Sequence, residues 1–80
     1  MTLNELSPGQ KATIEAIDTS DPAALRLMVL GLVEGAELTF VRASLGGDPL
    51  EFLLFGAAIS LRREQARRFR IVPAGEAAST

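Results

Sequence analysis

The sequence predicts a mainly β chain, folded as a small, partly open barrel of about five strands with one or two short helices inserted between them. Three observations carry this. Short runs of apolar alternation recur between brief turns, at residues 11–18, 37–42, 50–55, 59–61 and 69–72. One stretch with helix punctuation at both ends, residues 22–30, interrupts them. The chain has 80 residues and no internal repeat or linker, which predicts a single domain. At that size about 60–65% of the unfolded surface is buried, so the core is small.

The elements follow in order. Residues 1–8 form a lead-in, with Leu3 and Leu6 expected to pin it to the core, and Pro8-Gly9 is a turn signal. In the first strand Ala12, Ile14 and Ala16 share one face and Lys11, Thr13 and Glu15 the other. Ile17 breaks the alternation and hints at a bulge or the strand's end. Asp21 is placed to cap free N–H groups of a helix, and Pro22 suits its first position. Within residues 22–30, Leu27 and Leu30 are expected on the core side with Ala23 one turn earlier, while Leu25, Met28 and Val29 widen the apolar surface. Gly31 is expected at positive φ, ending the helix in a Schellman turn with Leu32 folded back on Leu27. Gly35 then permits a second tight turn into the next strand.

Leu38 and Phe40 are expected to point inward. Residues 45–49 form a turn, and residues 50–55 a third strand with Leu50, Phe52 and Leu54 on one face and Glu51, Leu53 and Phe55 on the other. Gly56 marks a bend, residues 59–61 a fourth strand, and residues 62–68 a helical turn with Glu64 and Arg68 ordered as an i,i+4 pair. Residues 69–72 close the barrel. Five short strands, brief turns and a small inserted helix make this an SH3-like barrel spanning residues 1–72. Residues 73–80 are expected to be a disordered tail.

Composition excludes whole classes of function. There is no Cys, His, Tyr or Trp, and Lys11 is the sole lysine. An enzyme would have to work with scattered carboxylates, hydroxyls or Lys11, and no nucleophile-elbow, phosphate-loop or metalloprotease pattern is present. The expectation is no enzyme, no catalytic residue, no cofactor and no metal site, because transition metals usually take imidazole, thiolate or clustered carboxylates. The longest apolar run, residues 52–59, is far short of the ~20 residues of a membrane span. No basic segment precedes an apolar run at the start, so no signal peptide is expected, and the lack of Cys suits a cytoplasmic location.

Candidate interaction surfaces remain. Arg62, Arg63, Arg67, Arg68 and Arg70 gather in nine positions, five positive charges less Glu64, or +4. Such a face suits solvent or a partner protein. It could also bind nucleic acid, although the aromatics are all Phe and two of them, Phe40 and Phe52, are assigned to the core. Leu53 and Phe55 on the outer face of the third strand are either buried on both sides or form an apolar strip for a partner or a second copy of the chain. Arg26, Met28 and Val29 form a helix surface on which Met28 either fills a core gap or belongs to a docking ridge.

Residues 26–35, Arg-Leu-Met-Val-Leu-Gly-Leu-Val-Glu-Gly, resemble the FeoA family of bacterial ferrous-iron uptake. The likeness extends to residues 3–12, 47–52 and 59–66, in order and in similar spacing. It implies a cytoplasmic, non-enzymatic regulator whose partner is FeoB, a membrane transporter with a cytosolic GTP-binding domain. The expected partner-binding residues are those read above from the residues themselves, Arg26, Met28, Val29, Leu53 and Phe55, with Gly31 and Gly35 as structural turns. The expected partners include no nucleic acid, and no direct membrane insertion is expected, with a homo-oligomer as an open alternative. The chain departs from the family pattern at Glu34, where Pro is frequent, at Leu53 and Phe55, where Arg or Lys is common, and at Ala57, where an aromatic often follows the Gly. The C-terminal domains of iron-dependent repressors look similar, leaving a protein-binding module with another partner, or a nucleic-acid-binding small barrel, as alternatives.

Overall fold

The computed structural model describes residues 1–74. Its strands are β1 (Lys11–Ile17), β2 (Glu37–Ala43), β3 (Leu50–Leu54), β4 (Ala57–Leu61) and β5 (Phe69–Pro73). Helix α1 (Pro22–Val29) sits between β1 and β2, and the short α2 (Arg63–Ala66) between β4 and β5. The strands form one antiparallel sheet in the order β4-β3-β2-β1-β5, an open SH3-like barrel. β5 runs one residue further than the sequence predicts: Pro73 is buried and pairs with Ala12. Of the predicted tail, residues 75–80 lie outside the described residues.

Two bulges curl the sheet. Opposite β5 the register shifts between Ile14 and Ala16, and opposite β3 between Phe40 and Arg42. Glu15 and Val41 are therefore the extra residues, and each adds local twist. The irregularity in β1 lies before Ile17, close to where the alternation breaks, and it turns Ala16 off the core face to a half-buried position.

The core is continuous from Leu3 and Leu6 through Ile14, Leu38, Phe40, Leu50, Phe52, Leu54 and Leu61 to Phe69 and Ile71. Phe40 and Phe52 are cross-strand partners whose tilted rings lie 5.3 Å apart, a favourable aromatic geometry. Ala24 and Ala66 are buried where α1 and α2 meet this core, and their small side chains let the helices approach closely.

Helix α1 begins with Asp21 accepting a hydrogen bond from Ala23 N–H at 2.8 Å and with Pro22 at its first position. It ends at Gly31, φ +111°. Gly31 N–H donates to Met28 O at 3.0 Å and Leu32 N–H to Leu27 O at 3.4 Å. This is the paired bonding of a Schellman end, and it delivers Leu32 into the core. The helix is rotated from the sequence expectation. Ala24 and Leu27 face the core, while Leu30, expected inside, is exposed. The cause is the termination itself: Leu30 is the last residue before the chain reverses, so Leu32 supplies the apolar contact instead.

The pair expected between Glu64 and Arg68 does not form. Arg68 turns to the loop before α1, with its Nε 2.8 Å from Asp21 Oδ2, as an ion pair not aligned for a hydrogen bond, and its Nη1 3.5 Å from Asp18 Oδ2. Two carboxylates in the loop before α1 outcompete exposed Glu64, because α2 ends at Ala66 and Arg68 lies beyond it.

Candidate protein-docking surface

The β3–β4 connection is a two-residue hairpin turn. Phe55 has φ +53° and Gly56 φ +80°, so both central residues are left-handed. Phe55 is therefore not a strand residue, as the sequence predicts, but the first turn residue. Its side chain is 77% exposed. A Cβ placed on Gly31 would lie only 3.2 Å from Phe55 Cε2, so the ring stands directly over the end of α1, in space that Gly31 leaves open.

This contact brings Phe55 to the end of the helix that carries Arg26, Met28 and Val29. On the helix side Val29 is 86% exposed and Leu30 63%, with Leu25 and Val33 also outward. Arg26 is exposed beside them, and Met28 is half-buried between core and surface. On the sheet side Leu53 is 41% exposed and shares an open groove of about 590 Å³ with Phe55, Lys11, Glu37 and Thr39. Lys11, Thr39, Leu53 and Ala58 are successive cross-strand partners, so they run in one row across the outer face. The neighbouring row is polar, with Arg42 Nε 3.4 Å from Glu51 Oε1. Leu25 was read as widening the apolar surface of the helix, but exposed Leu30 and Val33 were missed by sequence reasoning. No periodicity distinguishes an exposed Leu at a helix end from a buried one.

The arginines divide by role. Arg63 N–H donates to Asp48 Oδ1 at 2.9 Å and its Nε to Gly47 O at 2.6 Å, tying α2 to the β2–β3 turn. Arg68 is held by Asp18 and Asp21. Arg67, Arg68 and Arg70 line a shallow cleft of about 270 Å³ with Thr2, Ala16, Ile17 and Asp18. The Asp18 carboxyl is held below its ordinary range by hydrogen bonds from the Ser20 hydroxyl and N–H, so the cleft keeps a negative charge among its arginines. Among the described residues no three carboxylates come together in a metal-holding group, and no helix is long and apolar enough to cross a membrane.

Known proteins share this architecture. Solution NMR coordinates of FeoA from Chlorobium tepidum superpose with a TM-score of 0.84 at 36% identity, covering 92% of this chain and 70% of that one. FeoA of Stenotrophomonas maltophilia in complex with zinc, described as a prokaryotic SH3 domain protein, superposes with a TM-score of 0.79 at 33% identity, covering 90% and 89%. The Fe(2+) transport protein A/Fe(2+) transporter FeoB fusion protein of Porphyromonas gingivalis is 30% identical over 71 residues, 89% of this chain. The chain spans only 8% of that fusion's length. The FeoA domain model matches residues 1–73, the whole of the sheet and both helices, and the chain therefore belongs to the FeoA domain family.

Proposed function

We propose that this protein is a non-enzymatic adaptor of ferrous-iron uptake that binds the cytosolic part of a FeoB-type, GTP-dependent membrane transporter. The contact surface is the joined apolar area of Arg26, Met28 and Val29 on α1 with Leu53 and Phe55 on the sheet. This puts the protein at the cytoplasmic side of the membrane, acting on the transporter's assembly or nucleotide cycle and carrying no iron itself.

Phe55 is the observation that carries this reading. A left-handed first turn position followed by Gly ordinarily takes Asn, Asp or Gly. A bulky residue at positive φ is a local cost, and leaving the ring in water forgoes roughly 1.5–3 kcal/mol of burial. A residue that violates local preference on two counts is best explained by what it contacts outside the chain. Aromatic and Arg side chains are also enriched in protein interfaces. The Porphyromonas gingivalis relative supports the choice of partner, since it carries both components in one polypeptide. Fusion holds two modules at a high effective concentration, which suits a contact of modest intrinsic strength. The Stenotrophomonas maltophilia relative is described as a candidate ferrous-iron transport activating factor.

Phe55→Asn tests the reading because it separates binding from folding. The variant should fold with equal or higher stability, while affinity for the cytosolic part of a FeoB-type transporter, measured by calorimetry, falls about 30-fold, the effect of losing an aromatic anchor worth about 2 kcal/mol. Leu53→Lys combined with Phe55→Lys should fold and bind still less. Unchanged binding by both variants would move the contact elsewhere. Absence of transporter binding together with binding to nucleic acid that collapsed between low and moderate salt would point to the nucleic-acid reading.

A further inference from the structure

The sheet has two edges, and the chain treats them differently. At β5 the lead-in covers the edge: Ile71 N–H donates to Met1 O at 2.8 Å, and Thr2 bridges Arg70. At the opposite edge β4 reads Ala-Ala-Ile-Ser-Leu, with neither a charge nor a proline. Those are the devices that most often blunt an exposed edge, and the β3–β4 register contains no bulge to twist it away.

The hydrogen-bonding direction of each β4 residue follows from the hairpin. The two-residue turn makes Leu54 and Ala57 a hydrogen-bonded pair, and bonding alternates along the ladder. Ala57, Ile59 and Leu61 therefore direct their peptide groups to β3. Ala58 and Ser60 direct theirs outward, and among the described residues neither has a partner there. Both carry small side chains, so among the described residues no bulky side chain of theirs shields the peptide groups from an incoming strand.

We propose that β4 pairs antiparallel with β4 of a second copy of this chain, about a two-fold axis through Ile59. The strand is self-complementary in that register. Ala58 of one copy faces Ser60 of the other, twice over by symmetry, and these are the residues with outward peptide groups, so each pair exchanges both of its N–H···O bonds. Ile59 then meets its own symmetry mate as the non-hydrogen-bonded pair, where side chains approach most closely. No like charges meet along the seam, because the strand has none. Beyond the strands, the Phe55-Gly56 turn of one copy falls beside the Arg62 end of β4 in the other, which brings a cation to an exposed aromatic ring. A strand of this length spans about 17 Å, so the contact belongs to the small, weakly associating class below about 1,200 Å². The pairing itself rests on the peptide groups of Ala58 and Ser60 and not on the transporter contact, although Phe55 lies at the border of both surfaces.

Sedimentation velocity of the full chain over a concentration series should show a reversible monomer–dimer equilibrium. Ala58→Lys with Ser60→Lys sets lysine against lysine across the seam and should weaken dimerisation at least about tenfold. Ala58→Glu with Ser60→Lys sets a carboxylate against an ammonium in the same register and should restore it. Amide exchange of the unmodified protein gives a readout that needs no variant: the N–H groups of Ala58 and Ser60 should gain protection as concentration rises, while those of Ala57, Ile59 and Leu61 stay as they were. A protein monomeric throughout the series, a lysine pair that dimerises normally, a charge-swapped pair that does not recover, or protection gained without the Ala58/Ser60 alternation would each overturn the proposal.

Discussion

Gly31 and Phe55 depend on each other. The glycine has φ +111°, and the ring fills the space above its Cα. Gly31→Val should destabilise by more than ~1 kcal/mol in a urea titration, because a β-branched residue resists the left-handed region and its methyls would collide with the ring. Ala at the same site should cost less, and combining Val with Phe55→Asn should recover the steric part of the loss. Another residue-scale expectation concerns Glu5, whose carboxylate accepts from Thr2 N–H at 2.7 Å and from the Thr2 hydroxyl at 3.0 Å. Those bonds hold its pKa below the ordinary 4.5. A depressed carboxyl pKa contributes stability that is present above the ordinary value and is lost as pH falls through it toward the folded value. The Tm advantage of the unmodified protein over Glu5→Gln should therefore narrow below pH 4.5. The role of Gly31 was legible in sequence, since a helix followed by Gly and a leucine is local chemistry. The turn at Phe55 was not, because Phe-Gly lacks the signature of Asn-Gly and only the pairing of the flanking strands forces the left-handed conformation there.

At the scale of elements, both ends of α1 were legible and its orientation was not. Asp21, Pro22 and Gly31 are boundary signals that act within one turn of the chain, and the helix runs Pro22–Val29 between them. Which face it buries depends on where β2 and β3 lie, and an almost wholly apolar helix gives no contrast from which to read that. The break in alternation at Ile17 hinted at the bulge in β1 without placing it at Glu15, and the bulge at Val41 left no trace, because an extra residue exists only relative to a partner strand. Asp21 has two roles, capping α1 and pairing with Arg68 next to α2. Asp21→Ala should cost about 1 kcal/mol through the cap alone and more through the pair. Arg68→Ala in a double-mutant cycle with Asp21→Ala should reveal the coupling as a shortfall from additivity in chemical denaturation.

Considered as a whole molecule, this is a domain with little stability in reserve. A chain of this size holds about 5 kcal/mol of net stability, and truncating a large buried aromatic removes about 3–5 kcal/mol. Phe52, fully buried against Phe40, is the test. Phe52→Ala should leave a substantially unfolded population at room temperature by circular dichroism, whereas Phe52→Leu should stay folded with a lower Tm. The exposed apolar residues of the proposed docking surface were partly legible at this scale. Leu53 and Phe55 were read as either buried on both sides or an exposed strip, and the fold resolves this by leaving both exposed; that Phe55 stands over Gly31 at the end of α1 is a property of the assembled fold. The sheet order also sets the timetable of folding. β2, β3 and β4 are joined by short turns and can zip together locally, but β1 finds β5 only when the two ends of the chain meet, with Ala12 against Pro73. Loop-closure entropy must be overcome before that pairing returns anything, so folding should fall in the slow range typical of barrels, with the β2–β3–β4 meander leading. During synthesis β1 emerges first and must wait, half-paired, for the last strand to clear the ribosome, and a weakening substitution in β5 such as Ile71→Val should speed unfolding more than it slows folding.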